Sequence, residues 1–152
     1  MSVARAALEL PTTAVAVERL WADPAGWSAF VDGFDRVVEA APGWPAVGTR
    51  LVWESHPGGR GRVVEKVLRH EPGVELVTEL EDPTLRGVQR LAFAPAVDRV
   101  GVALELDYVL VRRGPFMLLA DPLFVRRALR DSLRRTLQGL STELGVRAAS
   151  RS

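Results

Sequence analysis

Two histidines and the polar residues around them are the first candidates for chemistry in this chain. His56 stands in the stretch WESHPGGRGR, and His70 stands directly before Glu-Pro-Gly. A histidine can act as a general acid or base near neutral pH. Here each one precedes residues typical of a turn, and neither belongs to a Ser-His-Asp arrangement or a phosphate-binding loop. We therefore interpret both as residues at strand turns, and the sequence identifies no catalytic set.

The composition excludes several kinds of site. The chain has no cysteine, which excludes disulfides, thiol nucleophiles and cysteine-zinc centres, and two histidines are too few for a three-histidine metal site. We expect no metal and no cofactor. No apolar run approaches the ~18 residues of a membrane span. Arg5 and Glu9 interrupt the N-terminal segment, which therefore does not resemble a signal peptide. A single cytoplasmic domain is the expectation for 152 residues.

The charges are distributed unevenly along the chain. Residues 1–111 have 11 basic and 16 acidic side chains, whereas residues 112–152 have 9 basic and 3 acidic ones. Such a basic segment is either a solvated helix face or a surface for an acidic partner or a membrane. Arg127, Arg130 and Arg134 would form that surface. We expect no nucleic-acid partner, and the sequence leaves the oligomeric state open.

Alternating apolar and polar residues, separated by turn residues, predict seven strands and two short helices. The strands are predicted at residues 3–10, 34–40, 49–56, 61–70, 74–81, 85–94 and 99–111, and the helices at 14–22 and 24–31. One apolar and one polar face favour antiparallel strands that are covered on a single side. In strand 61–70 both faces have apolar residues, so the pattern does not indicate which face points inward.

A long amphipathic helix is predicted at the C-terminal end. Asp121-Pro122 is a typical helix start, and Gly145 is a typical stop, with a disordered tail over 146–152. A stripe only about 80° wide is formed by Leu129, Leu133, Leu137, Leu140 and Leu144. The predicted fold is therefore α+β, in the order β-α-α-β6-α, as one ligand-binding domain over 1–145. Because one helix cannot fill the concave side of a curved seven-stranded sheet, we expect a cavity between them.

Nearly the whole chain resembles the START-like, helix-grip (SRPBCC) superfamily, and within it the bacterial polyketide cyclase/dehydrase and lipid-transport family. The resemblance rests on VERLWADPAGWSAFVDGFDRVVE (17–39), GWPAVGTRLVW (43–53), PGGRGRVVEKVLRHEPG (57–73) and GPFMLLADPLFVRRALRDSLRRTLQGL (114–140). It implies a cavity for a lipid, a polyketide or another apolar or aromatic ligand. Many relatives have Val-Trp where this chain has Val17-Glu18, and Trp21 is the candidate to replace that packing.

Two polar residues are the main candidates for ligand contact. Tyr108 shares its strand face with Leu104 and Leu106 and should point inward, either as a structural tyrosine or towards a ligand. Arg126 projects into the leucine stripe, where it either reaches solvent past the rim or holds a ligand anion at the cavity mouth. The predicted lining residues are Trp53, Leu106, Phe93, Phe116 and Leu129.

Three functions are compatible with this sequence. The first is binding of a hydrophobic or aromatic small molecule, for transport or sequestration. The second is a cyclase or dehydratase that acts on a polyketide-like chain and needs an inward-facing acid or base. The third is an interaction module that uses the basic face of the C-terminal helix.

Overall fold

The computed structural model describes residues 2–111 and 121–150, and its strands lie within one residue of the predicted bounds. The strands are β1 Ser2–Leu10, β2 Phe34–Ala40, β3 Arg50–Ser55, β4 Arg62–Glu71, β5 Glu75–Glu81, β6 Leu85–Pro95 and β7 Val100–Leu110. The helices are α1 Ala14–Trp21, a 3-10 helix at Pro24–Ala29, and α2 Pro122–Ser150. No helix of the described ranges is long and apolar enough to cross a membrane.

All seven strands form one antiparallel sheet in the order β1-β7-β6-β5-β4-β3-β2, which confirms the predicted fold class. The helix α2 packs mainly against β1 and also reaches β7 and the 3-10 helix. Leu133, Leu137 and Leu140 are buried there, which confirms the inward side of the predicted stripe. The helix starts where Asp121 Oδ1 accepts a hydrogen bond from Leu123 N at 2.9 Å.

Both ends of α2 differ from the prediction of a helix that covers the sheet along its whole length. Its last turns continue to Ser150, five residues beyond the stop suggested by Gly145. In its first turns, Leu123 and Phe124 are exposed, so this part of the helix lies outside the core. The packed part of α2 is therefore its middle, near β1.

Aromatic side chains cover the concave face at the other end of the sheet. The N-terminus of α1 is capped by Thr13, whose Oγ1 accepts a hydrogen bond from Ala16 N at 3.2 Å. Beyond this helix, Trp27 lies at the centre of a cluster with ring-centroid distances of 5.6–6.4 Å to Trp21, Phe34, Trp44 and Trp53. The core thus has an aliphatic half under α2 and an aromatic half under α1 and the 3-10 helix.

The strand whose faces the sequence left open has a bulge. The β4–β5 register is continuous from Val64 to Val67 and shifts between Val67 and Arg69. Before the shift, Val63, Glu65 and Val67 are buried on the concave side. The extra residue reverses the alternation in the last part of β4, so no single period of two fits the whole strand.

Gly139 sets how closely α2 approaches the 3-10 helix. A Cβ atom at this position would lie 2.8 Å from both the Cα and the carbonyl oxygen of Phe30, which are backbone atoms that cannot move aside alone. Gly145, further along the same helix, has no atom within 4 Å of such a Cβ. The two glycines therefore form a matched pair for testing this packing.

We expect Gly139→Ala to lower the free energy of unfolding by about 1–3 kcal/mol, because the added methyl group overpacks the contact with Phe30. Gly145→Ala should raise it by up to about 1 kcal/mol, because alanine is the better helix former. Urea unfolding of both variants and the wild-type protein measures the two changes. Equal effects of the two substitutions would contradict the close packing at Gly139.

Candidate functional site

The concave face carries a buried carboxyl group, that of Glu65 in β4. Trp53 Nε1 on β3 donates a hydrogen bond to Glu65 Oε2 at 2.7 Å. Thr78 Oγ1 on β5 donates a longer one to Oε1 at 3.3 Å. The two neighbouring strands therefore hold this carboxyl group from both sides.

Burial raises the pKa of the Glu65 carboxyl above its ordinary value, because the charged form loses its hydration. The hydrogen bond from Trp53, the charge of Arg60 and the hydrogen bond from Thr78 oppose this effect only in part. Glu65 therefore stays protonated to a higher pH than an exposed glutamate. A protonated carboxyl group can donate a hydrogen bond as well as accept one.

Arg60 reaches the same region from the turn between β3 and β4. Its Nε donates a hydrogen bond to Asp82 Oδ2 at 2.9 Å. The Asp82 side chain is fully buried, and its Oδ1 accepts hydrogen bonds of 2.8–3.0 Å from Thr84 N, Thr84 Oγ1 and Leu85 N. The turn between β5 and β6 therefore holds the Asp82 carboxylate in place, and this carboxylate holds the guanidinium group of Arg60.

One buried nitrogen of this guanidinium group has no hydrogen-bond partner within the described ranges. Arg60 Nη2 is buried and has no hydrogen-bond partner among the described residues. A buried donor without a partner costs about 1–3 kcal/mol, so an incoming acceptor atom would be favoured there. The charge of Arg60 also acts on the Glu65 carboxyl, which places the two groups in the same electrostatic environment.

Both groups line a small cavity, which we call the inner cavity. Its volume is about 40 Å³. Its described lining consists of Trp21, Trp27, Val31, Asp32, Trp53, Arg60, Glu65, Leu80, Gln89, Leu104, Ser132, Leu133 and Thr136. This is room for water-sized groups, whereas a dry cavity of ~150 Å³ holds benzene. The inner cavity can thus take a polar substituent of a ligand but not an aromatic ring.

Asp32, the second carboxylate of the lining, has a different environment. Burial by itself would raise the pKa of Asp32, but hydrogen bonds from Arg135 and Ser132 and the charge of Arg135 hold it below its ordinary value. Ser132 Oγ donates to Oδ2 at 2.7 Å, and Arg135 donates to Oδ1 at 3.0 Å and to Oδ2 at 3.2 Å. Asp32 N also donates to Thr136 Oγ1 at 3.0 Å. These bonds attach the loop after the 3-10 helix to α2, so Asp32 has mainly a structural role.

Of the seven residues that the sequence predicts as ligand contacts, Trp53 lines the inner cavity. Tyr108 and Leu106 are buried on the concave face of β7, in register with Gly87 and Gln89 of β6. Phe93 is half-buried. It lies six residues from Gly87 along β6, a distance of about 20 Å at ~3.3 Å per residue. Tyr108 and Phe93 therefore lie near opposite ends of the strand pair β6–β7.

The remaining predicted contacts concern the C-terminal region. Leu129 is half-buried and packs against the core, whereas Arg126 is exposed although it projects into the leucine stripe. Phe116 lies outside the described residues. The basic residues Arg127, Arg130 and Arg134 are all exposed, so the hypothesis of an interaction surface on α2 remains a prediction.

The sequence did not reveal Glu65 and Arg60, the two groups most able to recognise a ligand. The apolar residues on both faces of β4 and the bulge after Val67 obscured the inward orientation of Glu65. Arg60 lies in a turn whose Gly and Arg residues are typical of any connection between two strands. Both histidines lie at strand ends next to turns, as the sequence predicts, and the interpretation that neither is catalytic stays a prediction. His56 is mostly exposed beside Asp35, with Nδ1 3.7 Å from Asp35 Oδ1. His70 Nε2 lies 3.5 Å from Glu18 Oε1, outside the inner cavity.

Comparison with known proteins supports the same fold. A family model described as "Polyketide cyclase / dehydrase and lipid transport" matches residues 1–145. The protein TTHA0849 from Thermus thermophilus has a TM-score of 0.77 at 24% identity, covering 98% of this chain and 99% of that one. A START superfamily protein from Mycobacterium smegmatis has a TM-score of 0.72 at 13% identity, with 93% and 95% covered. No curated protein matches the chain.

A third similar structure is DynU16, from the dynemicin biosynthetic locus. Its TM-score is 0.64 at 12% identity, and the match covers 95% of this chain and 48% of that chain. At such low identities the three structures show the fold, and the chemistry of this chain has to come from its own residues.

The raised pKa of Glu65 predicts a pH dependence of stability. The folded state binds the Glu65 proton more tightly than the unfolded state, so its stabilising effect is complete below the ordinary value of 4.5. This contribution is lost as the pH rises from there through the folded-state pKa. Glu65→Gln should therefore gain in free energy of unfolding relative to the wild-type protein as the pH rises above 4.5.

Urea unfolding at a series of pH values measures this difference. Glu71→Gln, at an exposed position of the same strand, is the matched control. A difference between Glu65→Gln and the wild-type protein that stays constant with pH would contradict the shifted pKa.

Proposed function

The chain belongs to the polyketide cyclase / dehydrase and lipid transport family, and we propose that it binds a hydrophobic small molecule on the concave face of its sheet. The ligand carries an acceptor oxygen, such as a ketone or phenol oxygen, that enters the inner cavity. Transport or sequestration of this molecule is the corresponding role. The observation that supports the proposal most directly is the buried Nη2 of Arg60, which has no partner among the described residues and lines the same cavity as Glu65, whose pKa burial raises.

The two groups are suited to a neutral oxygen atom. Arg60 can only donate hydrogen bonds, and protonated Glu65 can donate one as well. The aromatic rings of Trp21, Trp27 and Trp53 on the same lining favour a flat, apolar neighbour for that oxygen. A fully ionised carboxylate would also accept from Arg60, but moving it from water into this lining costs more than moving a neutral oxygen atom.

We expect Arg60→Lys to weaken binding of the model ligand 2-acetylnaphthalene by about tenfold, the loss of one charge-assisted hydrogen bond. Lysine keeps a positive charge near Asp82 but has no second nitrogen to replace Nη2. Binding of 2-isopropylnaphthalene, which has a similar shape without the oxygen, should not change. Tryptophan fluorescence titration measures both affinities.

The matched control is Arg62→Lys, two residues away, where the arginine is exposed and pairs with Glu54 at 2.7 Å. If Arg60→Lys loses the same affinity for the ketone and for the hydrocarbon, Arg60 does not contact the ketone oxygen and is not part of the site. Mass spectrometry under native conditions, on protein purified from its own host, would then identify the natural ligand from its co-purifying mass.

A second candidate function, a dehydratase, is favoured by Glu65 alone. In the elimination of water from a β-hydroxy ketone, the C–O bond breaks and the hydroxyl group leaves as water with a proton from an acid, while a base removes a proton from the neighbouring carbon. Glu65 could supply that proton. The base is the difficulty, because both carboxylate oxygens of Asp32 already accept hydrogen bonds.

We therefore expect the protein to bind 4-hydroxy-4-(2-naphthyl)butan-2-one without dehydrating it. The conjugated enone that dehydration would produce absorbs strongly in the near ultraviolet, so a spectrophotometer detects turnover directly. Formation of the enone that disappears in Glu65→Gln would establish the enzyme instead of the binding protein.

A further inference from the structure

A second cavity, partly open to solvent, lies beneath α1, and we call it the outer cavity. Its volume is about 190 Å³, which exceeds the ~150 Å³ that accommodates benzene in a protein core. Its described lining consists of Val15, Glu18, Arg19, Trp21, Ala22, Pro45, His70, Leu76 and Leu91. The floor is formed by Leu76 and Leu91, which are buried on the concave face, and the rim by Val15, which is 52% exposed.

Trp21 is the residue that the described linings of the two cavities share. Its carbonyl oxygen accepts a hydrogen bond from Trp27 Nε1 at 3.0 Å, so its backbone is fixed at the end of α1. Its ring packs in tilted geometry against Trp27 and Phe30, at centroid distances of 5.6 and 5.8 Å. Trp21 is therefore part of the wall of both cavities.

The two cavities differ in whether their polar groups already have hydrogen-bond partners. In the outer cavity, Glu18 Oε1 accepts a hydrogen bond from Gly73 N at 3.0 Å and lies 3.5 Å from His70 Nε2. These groups are satisfied within the protein, and the deeper walls are apolar. In the inner cavity, Arg60 Nη2 has no partner among the residues described. A ligand that spans both would gain apolar contact outside and a hydrogen bond inside.

We infer that the outer cavity is the binding site for the ring system of the ligand, whose acceptor oxygen passes Trp21 to reach Arg60 and Glu65. The inference rests on the proposed function and names its ligand class, aromatic ketones of one or two fused rings. The ring enters beside α1 and rests on Leu76 and Leu91. Trp21 then packs against the bound ring rather than closing the passage.

Filling the outer cavity from its rim tests this assignment. Val15→Trp places an indole over the opening from an exposed helix position that tolerates a large side chain. It should weaken binding of 2-acetylnaphthalene by about tenfold or more. Val3→Trp is the matched control, because Val3 is 45% exposed on the convex side of β1 and should change the affinity less than about twofold.

The wall between the cavities is tested by Trp21→Phe. Phenylalanine keeps an aromatic contact with Trp27 but leaves a wider passage, so association with 2-acetylnaphthalene should become about threefold faster or more in stopped-flow fluorescence. Thermal melts verify that each variant is folded.

The outcomes separate the two proposals. If the wild-type protein binds the ketone and Val15→Trp behaves like Val3→Trp, the ring lies elsewhere, and the outer-cavity assignment is wrong while the proposed function stands. If the wild-type protein binds neither naphthalene compound, both proposals fail.

Discussion

The concave face of the sheet is wider than one helix, and the arrangement of the interior follows from that constraint. Seven strands about 4.8 Å apart span roughly 30 Å, whereas a helix with its side chains is about 10–12 Å wide. The helix α2 covers the end near β1 and β7, and the aromatic cluster around Trp27 covers the end near β2 and β3. The middle strands β4, β5 and β6 bear inward polar residues, namely Glu65, Thr78 and Gln89.

A buried acid in this position is costly for the fold. An apolar residue would pack between the neighbouring strands without losing hydration, as Val63 and Val67 do on either side of Glu65. The same reasoning applies to Arg60, whose Nη2 is buried without a partner in the described part of the chain. The buried acid and the unpaired guanidinium nitrogen both destabilise the fold. Two such features in one cavity are typical of a ligand-binding site.

The fold could be predicted from the sequence because its signals are local and repeat many times. Alternation in β7, the turn residues between strands and the leucine stripe of α2 each specify an element without reference to the others. The site could not be predicted in the same way. Both faces of β4 have apolar residues and a bulge after Val67 breaks its alternation, so the pattern did not show that Glu65 points inward. The position of Arg60 depends on Asp82, which is 22 residues away in the neighbouring hairpin.

The polar and apolar ends of the proposed site differ in rigidity, and this difference bears on selectivity. Arg60 is held by Asp82, and Asp82 by three hydrogen bonds from its own turn, so Nη2 is ordered before a ligand arrives and little entropy is lost on binding. Trp21, in contrast, lies in the wall of both cavities and is fixed through its backbone, and in the proposed site its ring is the part that moves. A rigid polar end selects strictly for the oxygen atom, whereas an adjustable apolar wall accepts ring systems of different shape.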